Sequence, residues 1–416
     1  MTSFVVVGGG VAGLVTARRL ALAGAKVTLY EASDHLGGTV THHVVGGLVL
    51  DAGAESFAVR GDTVAELATE LGLGDEIVIP NPAGAWLQRA RGAVALPATS
   101  LLGIPGVPLA ADVINVVGLG TAFRAYLETL LPGTVAAGSA TLGELVRRRM
   151  GQRMLDELVA PVTHGVHSQH PDDLPLDRVA PGLRAALRRS GSLALAVREL
   201  RASAPAGAAV AGIRGGVHRL VDELVADIER LGVDVRLGTR VGASGHGDAR
   251  VVLACPPEQG SSTPVELATL VVDAPGLDAA PRGSGVLVAS GVPGIRARAL
   301  THATAKWQWL ADRAEGKHVL RLSYAEPAAN LVDIAREDAA ALLGIDLPAS
   351  AVLDAAMVHW DRPKVAPARV DAVAQVGEAA SGTGLANVVA HAERTARELL
   401  EPPVATEAPP EELPEV

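Results

Sequence analysis

The feature that most constrains this chain is a run of glycines near its start, in VVVGGGVAGL (5–14). Apolar β-forming residues lead directly into Gly8, Gly10 and Gly13, which satisfy the G-x-G-x-x-G pattern between a strand and a helix. In this pattern the first glycine permits a tight turn, the second lets a pyrophosphate approach the backbone, and the third lets the helix pack on the sheet. The pattern alone also fits a bare structural turn.

The residues that follow favour a bound dinucleotide. A helix is predicted over 11–23, and a second strand over 25–32 completes a β-α-β unit. Glu31 ends that strand. A carboxylate at this point can accept hydrogen bonds from the ribose hydroxyls of an adenosine, and it repels a 2′-phosphate, which disfavours NADP.

Composition excludes several classes of protein. The chain has 416 residues, too many for one simple core, so two or more lobes are expected. A net charge of −10 disfavours nucleic-acid binding. The single cysteine, Cys255, excludes a disulfide scaffold and a cysteine-type zinc site, and no metal site is expected. A single cysteine also fits a reducing, cytoplasmic location. Every apolar run of membrane-spanning length is interrupted, so no membrane span is expected. The longest such run, 101–123, is expected to be buried or to face the substrate, with a peripheral membrane contact as the alternative.

Periodicity predicts a sheet that is interrupted and later resumed. A helix beginning near 217 is stopped by Gly232, and strands follow it at 233–237 and 250–255. A last strand at 371–377 leads through a glycine-rich turn into a helix over 385–400. Further helices are predicted over 63–71, with Asp62 as N-cap, within 141–202, and over 332–343. Residues 258–285 are predicted to be loop-rich, and strands of a second sheet are expected at 298–310 and 317–326.

The chain resembles the flavin amine oxidase superfamily through VVVGGGVAGLVTARRLALAGAKVTLYEASDHLGG (5–38). LDAGAESF (50–57), LVAPVTHGVHSQHPDDL (158–174), GIRGGVHRLVDELVADI (212–228), LTHATAKWQWL (300–310) and VGEAASGTGLANVVAHAERTA (376–396) narrow the resemblance. They are similar to the oxygen-dependent protoporphyrinogen/coproporphyrinogen III oxidases of actinobacterial type.

The resemblance implies an α/β fold with a discontinuous Rossmann-like FAD-binding domain, an inserted α+β substrate domain and a helical subdomain. It implies an FAD-binding domain at 1–75, 206–258 and 369–400. It implies a helical, membrane-facing-like part at 76–205 and a substrate domain at 259–368. The Pro- and Glu-rich tail, 401–416, is expected to be disordered.

The resemblance also implies a set of residues that contact FAD. They are Gly8, Gly9, Gly10, Val11, Ala12, Gly13, Glu31, Ala32, Gly38, Thr39, Gly53, Ala54, Glu55, Ser56, Val241, Gly377, Glu378, Thr383, Gly384 and Leu385. Of these, Val241 would meet the adenine and Ala54, Glu55 and Ser56 would lie near the flavin ring.

The implied reaction removes electrons from a porphyrinogen through FAD and delivers them to O2, which gives H2O2. Coproporphyrinogen III is the favoured substrate in haem biosynthesis, with a ferrochelatase downstream. Two alternatives stay open: another oxidase or desaturase of the same superfamily, or a protein that binds FAD or porphyrin without turnover. The second alternative is suggested by a chain that looks shortened between Trp360 and Gly377.

Individual side chains have both a functional and a structural interpretation. Lys306 is the candidate catalytic residue, which would contact a substrate propionate or a water near the flavin. The structural interpretation is a surface lysine. Arg321 has the same two interpretations, as a site residue or as a surface residue. Trp307, His164 and His167 are candidate substrate-binding residues, and packing is the alternative for the two histidines. Two further groups are expected to be structural, namely a loop at His42–His43 and a solvent-exposed helix face at Arg147–Arg149.

Overall fold

The computed structural model describes residues 2–59, 61–167, 169–202, 210–256, 262–363, 369–370 and 373–401. The strands in chain order are β1 (Ser3–Val7), β2 (Lys26–Tyr30), β3 (His42–Val45), β4 (Leu48–Asp51), β5 (Phe57–Ala58), β6 (Ile77–Val78), β7 (Trp86–Arg89), β8 (Gly92–Ala95), β9 (Ser100–Leu101), β10 (Ile104–Pro105), β11 (Val210–Ile213), β12 (Asp234–Arg236), β13 (Arg250–Leu253), β14 (Ser262–Val272), β15 (Gly285–Val288), β16 (Ala299–His302), β17 (His318–Tyr324), β18 (Val352–Pro363), β19 (Arg369–Val370) and β20 (Val373–Gln375).

The α-helices alternate with these strands in some regions and cluster together in others. In chain order they are α1 (Val11–Leu22), α2 (Thr63–Glu70), α3 (Ala111–Val117), α4 (Leu119–Tyr126), α5 (Leu142–Met150), α6 (Gln152–Met154), α7 (Ala160–His167), α8 (Leu176–Val179), α9 (Leu183–Ser190), α10 (Leu193–Ala202), α11 (His218–Arg230), α12 (Ala303–Lys306), α13 (Gln308–Ala314), α14 (Leu331–Leu343), α15 (Glu378–Ser381) and α16 (Leu385–Leu400).

One sheet joins distant parts of the chain. In the described part of the chain it has six strands in the order β12-β2-β1-β13-β20-β19, all parallel except the edge strand β19. Helix α1 packs on β1 and β2 and contacts α11 and α16, and the apolar side chains of these helices form one core with those of the central strands. The predicted discontinuous Rossmann-like fold is therefore confirmed, with the strands and helices expected at its start, middle and end.

Ion pairs connect the helices of this lobe. Arg18 of α1 contacts Glu70 of α2 at 2.7 Å and Asp227 of α11 at 2.5 Å. Its neighbour Arg19 contacts Glu70 at 2.9 Å and Glu393 of α16 at 2.8 Å. Sequence positions more than 370 residues apart are thus fixed around the first helix.

A second sheet forms the platform of another lobe. Among the described residues it has seven strands in the order β18-β14-β17-β16-β15-β7-β8. Helix α14 covers one face through an apolar cluster that includes Leu270, Leu320 and Leu322. The opposite face carries Arg321 and is approached by β3.

Two predictions for this lobe are wrong. The stretch 258–285, predicted to be loop-rich, contains the eleven-residue strand β14, which pairs with β17 and β18 along its length. Thr263, Pro264 and Glu266 hide the alternation that would have marked it as a strand. Of the strand predicted at 298–310, only β16 is extended, because helices α12 and α13 follow it directly. Strand β17 and helix α14 lie where they were expected.

The helices α3 to α10 pack around a fully buried ion pair between Arg149 and Glu128. Arg149 also donates to backbone carbonyls of the chain segments around it, including that of Gly191 at 2.8 Å. Glu128 accepts from the amides of Leu193 and Ala194, both at 2.9 Å, at the start of α10. The prediction of a solvent-exposed arginine face is therefore wrong for Arg149, whose charge is satisfied inside the protein.

Three smaller expectations have mixed outcomes. Asp62 precedes α2 as predicted, but it has a left-handed backbone and its side chain makes no capping hydrogen bond. His42 and His43 lie in β3 rather than in a loop, because β3 pairs with β4. The predicted disordered tail lies outside the described residues beyond Glu401. No helix in the described ranges combines the length and apolarity needed to cross a membrane.

Candidate functional site

The glycine turn between β1 and α1 is shaped as the sequence predicts. Gly8 has a φ of +110°, and a Cβ there would lie 2.8 Å from the backbone of Ala254 on the neighbouring strand end. A Cβ at Gly13 would lie 1.9 Å from the carbonyl oxygen of Gly8, so helix and turn touch directly. A Cβ at Gly10 would meet no atom within 4 Å. The turn is tightly packed at Gly8 and Gly13 and open at Gly10.

Two further predicted segments lie against this turn. The amide of Gly37 donates to the carbonyl of Gly9 at 2.8 Å, and a Cβ at Gly38 would lie 3.3 Å from the Cα of Gly10. Thr39 follows, and a Cβ at Gly53 would lie 1.9 Å from its carbonyl oxygen. The structure therefore brings residues 8–13, 37–39 and 53–56 into one continuous surface.

Glu31 is held at the edge of this surface. Its carboxylate accepts hydrogen bonds from the Gly9 amide at 2.6 Å and from the amide and hydroxyl of Ser33, each at 2.8 Å. Burial opposes ionisation, but these hydrogen bonds outweigh it and hold the pKa of Glu31 below its usual value. The carbonyl of Glu31 accepts from Thr239, so the segment that contains Val241 runs beside it, while Ala32 is exposed.

The predicted segment near the C-terminus closes the same site. A Cβ at Gly377 would lie 3.6 Å from the Cβ of Ala12 in the first turn of α1. After the one helical turn of α15, Gly384 precedes α16 with a φ of +99°. Asn387 donates to the carbonyl of Thr383 at 3.0 Å and fixes the start of α16, where Leu385 is half-buried.

A compact charge cluster joins this lobe to the second sheet. Glu55 accepts from the Lys306 ammonium at 2.7 Å and from the Arg321 guanidinium at 2.8 Å. Arg321 also donates to the carbonyl of Gly53 at 2.6 Å, and Lys306 Nζ lies 3.5 Å from the Ser56 hydroxyl. The side chains of Lys306, Glu55 and Arg321 are 15%, 15% and 7% exposed, so the cluster has two cations and one anion in a mostly dehydrated place.

The electrostatics of the Glu55 cluster follow from this count. Burial alone would raise the pKa of Glu55, but the nearby charges of Lys306 and Arg321 outweigh it and lower the pKa to about 2. Glu55 is therefore ionised throughout the physiological range. The structure places Lys306 in this cluster, and the surface-lysine interpretation is excluded.

Trp307, a candidate substrate-binding residue, is only 3% exposed. Its ring belongs to an apolar cluster with Val45, Leu50 and Val319, and a Cβ at Gly212 would lie 2.8 Å from it. The Lys306 ammonium lies 5.0 Å from the centre of the indole ring. This position favours a packing role under the charge cluster.

The two candidate histidines of α7 differ in what can be said of them. His164 is half-buried, and its ring lies 5.6 Å from that of His170. Burial, followed by the positive charges of His170 and Arg298, lowers the pKa of His164. The side chain of His167 lies outside the described residues.

Sequence reasoning missed a buried contact between two of the quoted motifs. Asp51, in LDAGAESF, accepts from the amides of Val217 and His218 and from His218 Nδ1, each at 2.9 Å. It thereby caps the N-terminus of α11, the helix of the motif at 212–228. Both residues stand in motifs that the sequence analysis singled out, but no local pattern pairs positions 166 residues apart.

A second missed contact joins β18 of the seven-stranded sheet to the start of α15. Arg362 of β18 lies 3.4 Å from the Glu378 carboxylate at the start of α15. Burial raises the pKa of Glu378, and the Arg362 charge opposes this rise. The sheet is thus connected to both the 53–56 and the 377–385 segments.

The residues present fit a bound FAD. Helices α1 and α16 both begin after a glycine at the N-cap position, Gly10 and Gly384 respectively, which has no side chain to cap the helix. A Cβ at either glycine would meet no atom within 4 Å, so the space in front of both helices is open. Uncapped helix N-termini offer N–H groups and a positive dipole end to phosphates. Within the described ranges, no group of three or more His, Cys, Asp or Glu side chains is arranged to hold a metal ion.

Comparisons with known proteins agree with this geometry. The model of the flavin containing amine oxidoreductase family matches residues 11–272. A coproporphyrinogen III oxidase from Mycobacterium leprae is 30% identical over 422 residues, which cover 90% of each chain.

Solved structures share the fold. A candidate protoporphyrinogen oxidase from Exiguobacterium sp. 255-15 superposes with a TM-score of 0.79 at 21% identity and covers 96% of this chain and 98% of its own. Cyclohexylamine oxidase from Brevibacterium oxydans gives a TM-score of 0.63 at 14% identity, over 96% and 98% of the two chains. The family match, the mycobacterial relative and the flavin-compatible site lead to one conclusion: the chain belongs to the flavin-containing amine oxidoreductase family, together with the mycobacterial coproporphyrinogen III oxidases, and is an FAD-dependent oxidoreductase.

Proposed function

We propose that this protein oxidises coproporphyrinogen III to coproporphyrin III in haem biosynthesis, with O2 as the acceptor and H2O2 as the by-product. The observation that supports this best is the Glu55 cluster, which brings two cations of the substrate lobe against a segment of the cofactor lobe. The mycobacterial coproporphyrinogen III oxidases that match 90% of the chain support the same substrate.

The proposed cofactor contacts follow the surface described above. Residues 8–13 and the N-terminus of α1 would hold the pyrophosphate, and Glu31 would bind the ribose. Val241 and Ala32 would lie near the adenosine, and Gly38 and Thr39 would line the middle of the molecule. Ala54, Glu55 and Ser56, with the 377–385 segment and the N-terminus of α16, would surround the ribityl chain and the flavin ring.

The chemistry belongs to the cofactor and the positioning to the protein. FAD, when bound, would supply the acceptor for a hydride equivalent from the substrate and would pass the electrons on to O2. Glu55 holds the Lys306 ammonium and the Arg321 guanidinium in fixed positions, because both of its oxygens are engaged. The excess positive charge of this buried cluster stabilises negative charge that develops near it.

The proposal extends to partners and location. Coproporphyrin III would pass to a ferrochelatase, and the protein would work in the cytoplasm. A peripheral membrane contact is supported by the exposed Leu119, Phe123 and Leu130 on and after α4. Arg124 in the same stretch adds a positive charge that anionic lipid would attract, although one of its nitrogens donates to the Arg149 carbonyl at 2.9 Å.

One experiment separates the candidate functions. The purified protein is loaded with FAD, checked for a flavin spectrum, and mixed in air with coproporphyrinogen III, while porphyrin fluorescence and H2O2 are recorded. Porphyrin and H2O2 formation above the spontaneous rate supports the proposal. Turnover of a primary amine instead would indicate the amine oxidase alternative, and bound FAD with no turnover of either would indicate a binding protein.

A matched pair of variants shows whether that activity belongs to this site. Lys306→Met should slow porphyrin formation strongly, because it removes the ammonium next to Glu55. Lys26→Met removes an exposed lysine at the start of β2 and should leave the rate unchanged. Equal rates in the two variants would contradict the proposed role of Lys306.

A further inference from the structure

Arg298 occupies the seam between the seven-stranded sheet and the helical unit. Its amide donates to the carbonyl of Ser323 at 2.8 Å, and its carbonyl accepts from Val288 at 3.0 Å, so its backbone is fixed between β17 and β15. Helix α7 packs on the same part of β15, because a Cβ at Gly165 would lie 2.4 Å from the Leu287 side chain. The backbone of Arg298 is therefore held between two strands of the sheet, beside the place where α7 packs on β15.

The Arg298 guanidinium is half-buried, yet it makes no hydrogen bond or ion pair with any other residue that the structure describes. Arg321 on the neighbouring strand, in contrast, is engaged by Glu55 and the Gly53 carbonyl. Partial burial of an unpaired cation costs free energy, because lost hydration is not replaced. The Arg298 guanidinium is therefore available to a ligand that enters the seam.

The electrostatic surroundings of Arg298 favour an anion. Burial and then the charge of Arg362 lower the pKa of Arg298, while Glu326 opposes them. Arg362 already has a carboxylate, Glu378, at 3.4 Å. On helix α7, the charge of Arg298 also contributes to the lowered pKa of His164. Arg298 and Arg362 thus place two cations near each other in this seam, and among the described residues no carboxylate, Glu326 included, forms an ion pair with Arg298.

We infer that Arg298 is a substrate-binding residue that donates hydrogen bonds to a carboxylate of an otherwise apolar substrate. A guanidinium suits this role, because its planar fork binds a carboxylate through two parallel hydrogen bonds. The inference rests on the proposed function, since coproporphyrinogen III carries propionate carboxylates on its macrocycle. In addition to that proposal, Arg298 is the residue that would select macrocycles with carboxylates over uncharged ones.

The test measures binding separately from turnover. FAD-loaded wild type, Arg298→Gln and Arg298→Lys are titrated with coproporphyrin III, the proposed product, and with its tetramethyl ester, in the same buffer containing mild detergent. Arg91→Gln is the control, because Arg91 is exposed in the β7–β8 turn and makes no described side-chain contact. Flavin content and urea unfolding are compared first, so that only folded, loaded protein is titrated.

We expect Arg298→Gln to bind the acid at least tenfold more weakly than wild type, with the ester bound equally by both. Arg298→Lys should fall between them for the acid, and Arg91→Gln should match wild type. Unchanged acid binding in Arg298→Gln, or equal losses for acid and ester, would overturn the carboxylate site while leaving the proposed function intact. A wild type that neither oxidises coproporphyrinogen III nor binds coproporphyrin III would overturn both.

Discussion

Two buried charge clusters of this protein use the same kinds of side chain for different ends. Among helices α3 to α10, Arg149 and Glu128 form a pair with no exposed side-chain surface, and backbone groups and the Ser192 hydroxyl bind their other donors and acceptors. At the lobe junction, Glu55 has two cationic partners, and the cluster keeps an excess positive charge. The comparison teaches that charge balance distinguishes a pair that holds a fold together from a cluster prepared to meet a ligand.

The largest effect is expected from a substitution that breaks the pair between Arg149 and Glu128. Arg149→Met should lower the free energy of unfolding by about 3–5 kcal/mol, because it leaves Glu128 buried without a counter-charge. Urea unfolding at pH 7.5 measures it. Arg148→Met, at an exposed neighbouring position, should change stability by less than about 0.5 kcal/mol. A loss in Arg149→Met no greater than in the control would contradict the structural role of the pair.

The next effect concerns the unbalanced cluster. Glu55→Gln should reduce kcat/KM for the porphyrinogen about a hundredfold, or about 2.7 kcal/mol, because Lys306 and Arg321 lose the anion that positions them. Steady-state kinetics at equal flavin content measure it. Glu229→Gln, on the exposed end of α11, is the matched control and should behave as wild type. Wild-type kinetics in Glu55→Gln would show that the cluster has only a structural role, like the Arg149–Glu128 pair.

A smaller effect is expected at the glycine turn, where Gly10 has open space in front of it and Gly13 is tightly packed. Gly10→Ala should fold normally, since its φ of −71° suits alanine and its Cβ would meet no atom, but it should weaken FAD binding about tenfold, or about 1.4 kcal/mol. Titration of the apoprotein with FAD measures it. Gly13→Ala should instead destabilise the fold, because its Cβ would meet the Gly8 carbonyl. Unchanged FAD affinity in Gly10→Ala would show that the open space is not the cofactor site.

The smallest effect concerns a base that is buried without any anion. Burial, and then the neighbouring His318, lowers the pKa of His302 to about 4. The unfolded chain, with a histidine pKa of about 6.5, binds more protons between these values, so stability falls as pH drops from 6.5 towards 4.

Urea unfolding at pH 7.5 and 5.5 checks the pH effect. His302→Gln should lose about 1 kcal/mol less than wild type between the two pH values. The same variant tested at pH 7.5 alone provides the baseline for lost packing. A pH dependence identical to that of wild type would show that His302 does not titrate as its burial implies.

The sequence predicted the parts of the molecule whose cause is local. The turn at Gly8–Gly13 and the helices α1, α11 and α16 follow from glycine spacing and apolar periodicity, which neighbouring residues alone determine. Strand β14 was missed because Thr263, Pro264 and Glu266 hide its pattern, and the strands that pair with it, β17 and β18, lie far away in the sequence. The sequence identified Lys306 as a candidate, but it did not predict the ion pair with Glu55, because the two residues are 251 positions apart and no local pattern links them. The burial of Arg149 was missed for the same reason.

The measurement that tests the account most directly is the rate at which coproporphyrinogen III reduces the bound flavin in the absence of O2. Stopped-flow absorbance of wild type, Glu55→Gln and Arg148→Met, matched for flavin content, isolates this step from O2 chemistry and from folding. The account predicts rapid bleaching of the flavin in wild type and Arg148→Met and bleaching about a hundredfold slower in Glu55→Gln. A wild-type flavin that stays oxidised, or equal rates in all three proteins, would contradict it.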